Sequence, residues 1–122
     1  MSAGLFTIAS TTHENHKVTS VLHIHADHPI LKGHFPGHPV VPGASMLQVA
    51  KEVLESALQT SLQLKKGSQL KFMNLVDPTK TLEVQLEIGY HVKEDGIHVN
   101  AKFSDGDTVC FKMQGVFVNA LA

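Results

Sequence analysis

The strongest periodicity along the chain lies between residues 44 and 60. Met46, Val49, Ala50, Val53, Leu54, Ala57 and Leu58 recur there at steps of three and four. That spacing gathers them on one face of a helix and leaves Lys51, Glu52, Glu55 and Gln59 for the other. The apolar stripe is wide, so this helix is expected to lie against a sheet. Lys65-Lys66-Gly67 is read as its exit. Elsewhere the period is two. Residues 4–11 and 17–26 are rich in apolar and β-branched types and predict two strands, separated by the polar stretch Thr11–His16. In the second, Leu22 and Ile24 face one way and His23 and His25 the other. Residues 68–76 predict a strand ended by Asp77-Pro78. From 81 to 93, Leu82, Val84, Leu86 and Ile88 alternate with Glu83, Gln85 and Glu87. Asp95-Gly96 reads as a two-residue hairpin signal, after which Ile97, Val99, Ala101 and Phe103 keep the alternation. A second pair, Asp105-Gly106, leads into 108–118, where Val109, Phe111, Met113 and Phe117 carry it on.

Two strands, a loop, one helix and four antiparallel strands predict an α+β architecture, with the helix packed on one strongly curved sheet. The length of 122 residues suits a single domain over 1–122. A formal charge of −1 and no arginine argue against a nucleic-acid partner, which needs a basic footprint. Cys110 is the lone cysteine, which excludes an internal disulfide and fits a reducing, cytoplasmic setting. Met1–Phe6 shows no basic n-region and no long apolar run, so neither a signal peptide nor a membrane span is expected. The nine histidines are scattered rather than set at zinc spacing, and no metal or other cofactor is expected.

Candidate chemistry concentrates just before the helix. Residues 33–43, Gly-His-Phe-Pro-Gly-His-Pro-Val-Val-Pro-Gly, pack three prolines and three glycines into eleven positions. Proline fixes φ and removes a donor, so Phe35-Pro36 and His38-Pro39 are held extended or in turns. Such a segment presents few groups in fixed geometry: the His34 imidazole, the helix N-terminus at Gly43 and the Gln48 carboxamide. A histidine works as a base near neutral pH. A helix N-terminus favours a developing oxyanion, through its unpaired N–H groups and its macrodipole. Ser45-x-x-Gln48 also matches a capping box, which would give Gln48 a structural task unless the helix begins at Gly43. His38 reads as a solvated turn residue, His13 and His16 as members of a polar loop, and His23, His25, His91 and His98 as an exposed strand face. Lys65, Lys66, Lys71 and Lys80 are candidates for a patch that meets an acidic partner.

The stretch resembles the signature of the 3-hydroxyacyl-acyl-carrier-protein dehydratases of fatty-acid synthesis, the FabA/FabZ group of hot-dog proteins. Their pattern is His-Phe-Pro, then Pro-x-x-Pro-Gly, then an acid five residues after the last glycine. His34, Phe35, Pro36, Gly37, Pro39, Pro42 and Gly43 match. Gln48 stands where the acid should, as in the similar small ApeI-like dehydratases of pigment pathways. Lys71-Phe72, Asp77-Pro78 and Leu82 resemble a further strand–turn–strand of the group. The resemblance implies a hot-dog fold in which a curved antiparallel sheet wraps the 44–60 helix. It implies dehydration of a 3-hydroxyacyl thioester on acyl carrier protein to the trans-2-enoyl thioester. His34 would be the base, oriented by the Val40 carbonyl, and the Gly43 amide would hold the oxyanion. Phe35, Gly37 and Pro42 would shape the site. A homodimer or an assembly of dimers is implied, with His34 facing Gln48 of the other chain. A carboxamide cannot deliver the proton that a carboxylic acid gives the leaving hydroxyl. That leaves an alternative, a non-catalytic hot-dog subunit that binds an acyl chain or completes a partner's active site. A hot-dog thioesterase is a third reading.

Overall fold

Alternating residues along the chain sort onto the two faces of one sheet. The computed structural model describes residues 5–25, 43–74 and 83–120. Among them the strands are β1 (Phe6–Glu14), β2 (Lys17–Ile24), β3 (Leu62–Phe72), β4 (Glu83–Lys93), β5 (Gly96–Asp105) and β6 (Thr108–Asn119), with one helix, α1 (Gly43–Leu58). The strand order is β1-β2-β4-β5-β6-β3 and every neighbouring pair is antiparallel. This is the hot-dog architecture, one long helix laid on an antiparallel sheet. The sheet is open, with β1 and β3 at its edges, and is less curled than the sequence pattern suggested.

The core forms where the two amphipathic patterns meet. β4 contributes Val84, Leu86, Ile88 and Tyr90, β5 contributes Val99, Ala101 and Phe103, and β6 contributes Phe111, Met113 and Phe117. Met46, Val49, Ala50, Val53 and Leu54 of α1 are buried in the same cluster, and the helix touches β2, β3 and β4. Each large side chain fully buried here stabilises the fold by about 1.5–3 kcal/mol. Phe103 and Phe111 are tilted against one another with ring centroids 5.9 Å apart, a favourable aromatic arrangement.

The helix exit lies earlier than the sequence suggested. Gln59 takes the left-handed conformation (φ 55°), a helix-terminating geometry. The Gln59 side chain donates to the Ser56 carbonyl at 2.7 Å, and the Thr60 N–H donates to the Glu55 carbonyl. Lys65-Lys66-Gly67 is therefore not the exit but part of β3, which begins at Leu62. Two irregularities, between Leu64 and Lys66 and between Gly67 and Gln69, break its register with β6. Lysines and bulges are common on edge strands, where they discourage pairing with other chains, and they hide the apolar period.

The hairpins also depart in detail. β1 runs on to Glu14, so His13 sits on a strand rather than in a loop. The turn is Asn15-His16, both at positive φ (52° and 61°) as a two-residue hairpin of the primed kind requires. Between β4 and β5 the turn residues are Glu94 and Asp95, one position before the Asp-Gly pair, since Lys93 pairs with Gly96. In β6, Phe103 faces Phe111 while Ser104 faces Val109, so Cys110 is an extra residue. That bulge buries Cys110 and Phe111 in succession and leaves Val109 half-buried.

Candidate active site on the helix

Gly43 is the first residue of α1, so its amide belongs to the first turn, whose N–H groups lack intrahelical acceptors. No acidic residue stands in that turn, so the positive end of the helix is not neutralised from within. Gln48 lies five residues on, about 7.5 Å along the axis. Its side chain is half-buried, between neighbours Met46 and Val49 that turn into the core. Among the described residues no group hydrogen-bonds its carboxamide. Ser45 is buried and is the third residue of the helix, not its cap. The capping-box reading fails, because Ser45 lies inside the helix.

The structure thus brings Gly43 and Gln48 together on one helix. His34, Phe35, Gly37, Val40 and Pro42 lie outside the described residues, as do His38, Lys80 and the whole 77–82 segment of the resemblance. Among the described histidines, His13, His23, His25, His91 and His98 lie on strands or at their ends, and His16 in the β1–β2 turn. His23, His25 and His91 are exposed, and His23 donates to Glu83 at 3.2 Å. His98 is half-buried and donates to the Asp95 carboxylate at 2.7 Å. That hydrogen bond is the main cause holding the Asp95 carboxyl below its ordinary value. Burial pushes the Cys110 thiol up. Among the described residues no group of histidine, cysteine and carboxylate side chains could hold a metal ion. No described helix is long and apolar enough to cross a membrane.

Some structural roles were not visible in the sequence. Glu55, assigned only to a polar face, accepts the Leu62 N–H at 2.7 Å and ties the helix end to the start of β3. His13 Nε2 and the Tyr90 hydroxyl are hydrogen-bonded at 2.6 Å, and His16 packs edge-on against the same ring. Of the lysines read as a patch, Lys65, Lys66 and Lys71 all lie on β3. Lys65 donates to the Asp95 carbonyl, whereas Lys71 lies opposite Lys112 of β6.

Residues 10–112 match the family model described as ApeI-like, the ApeI dehydratase. The chain belongs to the ApeI-like dehydratase family. Among curated proteins, this ApeI-like chain is 30% identical over 81 residues to the 3-hydroxyacyl-[acyl-carrier-protein] dehydratase FabZ of Natranaerobius thermophilus, covering 60% of the chain and 56% of the relative. It is 29% identical over 94 residues to the FabZ of Nitratiruptor sp., covering 66% and 64%. The chain therefore spans less than two thirds of the length of these relatives. Among solved structures, a chain of the dehydratase heterocomplex ApeI:P from Xenorhabdus doucetiae superposes with a TM-score of 0.80 at 15% identity, covering 93% of this chain and 97% of that one. An uncharacterized protein from Erwinia carotovora subsp. atroseptica superposes with a TM-score of 0.72 at 16% identity, over 95% of each chain. At these identities the two structures speak to the fold alone.

Proposed function

We propose that this chain is a subunit of a hot-dog dehydratase assembly acting on 3-hydroxyacyl thioesters of acyl carrier protein. It binds the acyl chain and completes an active site with a partner chain. The observation that carries this reading is Gln48: a half-buried carboxamide, unengaged among the described residues, at the position where the FabA/FabZ pattern has an acid. Dehydration needs a base at C2, a stabilised thioester oxyanion and a proton for the hydroxyl leaving C3. The Gly43 amide, at a helix N-terminus with no acid in its first turn, suits the second requirement. Gln48 can hold the hydroxyl or a water by hydrogen bonding but has no proton to give. A carboxylic acid on the partner chain meets the third. Family membership and the likeness to a chain from a dehydratase heterocomplex support a mixed assembly.

A second reading rests on the retained His34-Phe35-Pro36 triplet with Gly37, Pro42 and Gly43. There the chain catalyses dehydration by itself, in a homodimer. His34, oriented by the Val40 carbonyl, takes the C2 proton and returns it to the leaving hydroxyl directly or through a water held by Gln48.

Co-expression with a FabZ-type hot-dog dehydratase that carries the acid separates the two. Native mass spectrometry should show a mixed assembly, and its turnover of 3-hydroxyacyl carrier protein should exceed that of this chain alone. A homo-oligomer that is fully active without a partner, and loses turnover in His34→Ala, would overturn the subunit reading.

A further inference from the structure

The face of the sheet turned away from α1 carries a feature that the site on the helix does not use. Lys71, Lys112 and Lys102 stand directly opposite one another across β3, β6 and β5, and Glu87 of β4 continues the row. Like charges directly opposite on adjacent strands destabilise a sheet. Glu87 relieves only one end, lying 3.4 Å from the Lys102 ammonium and 3.9 Å from that of Lys17. Among the described residues neither Lys71 nor Lys112 pairs with a carboxylate.

The next row on the same face is Gln69, Gln114, Asn100, Gly89 and Lys17. Together the two rows line a groove of about 400 Å³. Its floor offers three carboxamides and its rim four lysines against one carboxylate. Gly89 sits mid-strand in β4, where glycine costs about 0.5–1 kcal/mol. Neither space nor backbone conformation demands it: a Cβ there would meet nothing within 4 Å, and its φ is not in the left-handed range. An interior strand glycine without a packing reason often marks close approach of a ligand or of another backbone.

We propose that this groove binds a small linear polyphosphate group, with Lys71, Lys112 and Lys102 as its cationic wall and Gly89 as the gap that seats it. Neighbouring strands lie about 4.8 Å apart, so the three ammonium groups spread over roughly 10 Å. A monophosphate reaches one or two of them, whereas a chain of phosphates reaches all three. Glu87 is already paired and opposes the ligand little. A second copy is a poor occupant, since a two-fold contact would set one lysine row against another. A carrier protein docked here would have the sheet between it and α1.

Isothermal titration with sodium tripolyphosphate at constant ionic strength tests the assignment. A single site is expected, with orthophosphate binding more weakly. Affinity should fall at least about tenfold in Lys71→Gln/Lys112→Gln, the scale of one lost charge-assisted hydrogen bond. It should fall similarly in Gly89→Val, which fills the gap without removing charge, and stay unchanged in Lys93→Gln at the end of β4. Circular dichroism of each variant without ligand confirms folding. No binding at millimolar tripolyphosphate would overturn the proposal, as would equal losses in Lys93→Gln. So would a groove that takes only an acidic protein, with binding lost in Lys112→Gln.

Discussion

Replacing Gly96 with alanine should be among the more damaging single-methyl additions in this fold, and the size of the effect can be worked out. Gly96 opens β5 at φ 139°, a conformation that L residues rarely adopt. Forcing a side chain into such a region costs about 1–3 kcal/mol. The new Cβ would also lie 2.6 Å from the Phe117 carbonyl oxygen and 2.8 Å from Val116 Cγ1. The first neighbour is backbone, so β6 must shift, and overpacking of this kind costs typically 1–3 kcal/mol. The reduced freedom of the unfolded chain offsets about 0.4–1 kcal/mol. The net loss is about 1–5.5 kcal/mol, a large part of the ~5–15 kcal/mol total of a typical domain. Gly89→Ala is the built-in control: nothing opposes its Cβ, so the same substitution should be neutral or stabilising by up to about 1 kcal/mol. Equilibrium urea unfolding followed by circular dichroism, at one fixed protein concentration, measures both. A Gly96→Ala variant within 1 kcal/mol of the parent would refute the reasoning, as would a Gly89→Ala variant equally destabilised.

The remaining predictions concern polar contacts on the strands. Tyr90→Phe removes the hydrogen bond to His13 while keeping the buried ring, and should cost about 0.5–1.5 kcal/mol by urea unfolding; no loss would show that the bond adds nothing to stability. His98→Ala should raise the Asp95 pKa toward its ordinary value of 3.8, measured by carboxyl NMR titration. Because the folded value is depressed, the Asp95 contribution is present above 3.8 and is lost as pH falls through the lower folded value. An unchanged Asp95 titration would contradict the assigned cause.

Much of this architecture was legible because most buried strands obey one rule. Val84, Leu86 and Ile88, and Val99, Ala101 and Phe103, alternate cleanly since β4 and β5 are central, with one face on the core. The α1 stripe was equally readable, because a helix buried along a broad face repeats its apolar residues at three and four. What was lost follows from local exceptions. The first half of β3 carries Lys65, Lys66 and Gly67 because it is an edge, so its composition imitates a loop. The Cys110 bulge advances β6 by one residue and breaks the period between Val109 and Phe111. Asn15-His16 has no glycine to announce positive φ, although asparagine tolerates it well. Of the candidate site, the helix that carries Gly43 and Gln48 was readable. The outer-face lysine row was not, since its members are far apart in sequence and only strand register sets them side by side.

The role of Gln48 is tested most directly by turnover of 3-hydroxyacyl carrier protein by the isolated chain, with Gln48→Glu beside the parent. Glutamate restores an acid with almost no change in volume. The parent alone should show little or no turnover. Gln48→Glu should gain activity on the scale of general-acid catalysis, about 10²–10⁴-fold, with a rate that declines as the new carboxyl group loses its proton. That gain should vanish in Gln48→Glu/His34→Ala. A parent chain that already turns over rapidly alone, and gains nothing from Gln48→Glu, would contradict the account.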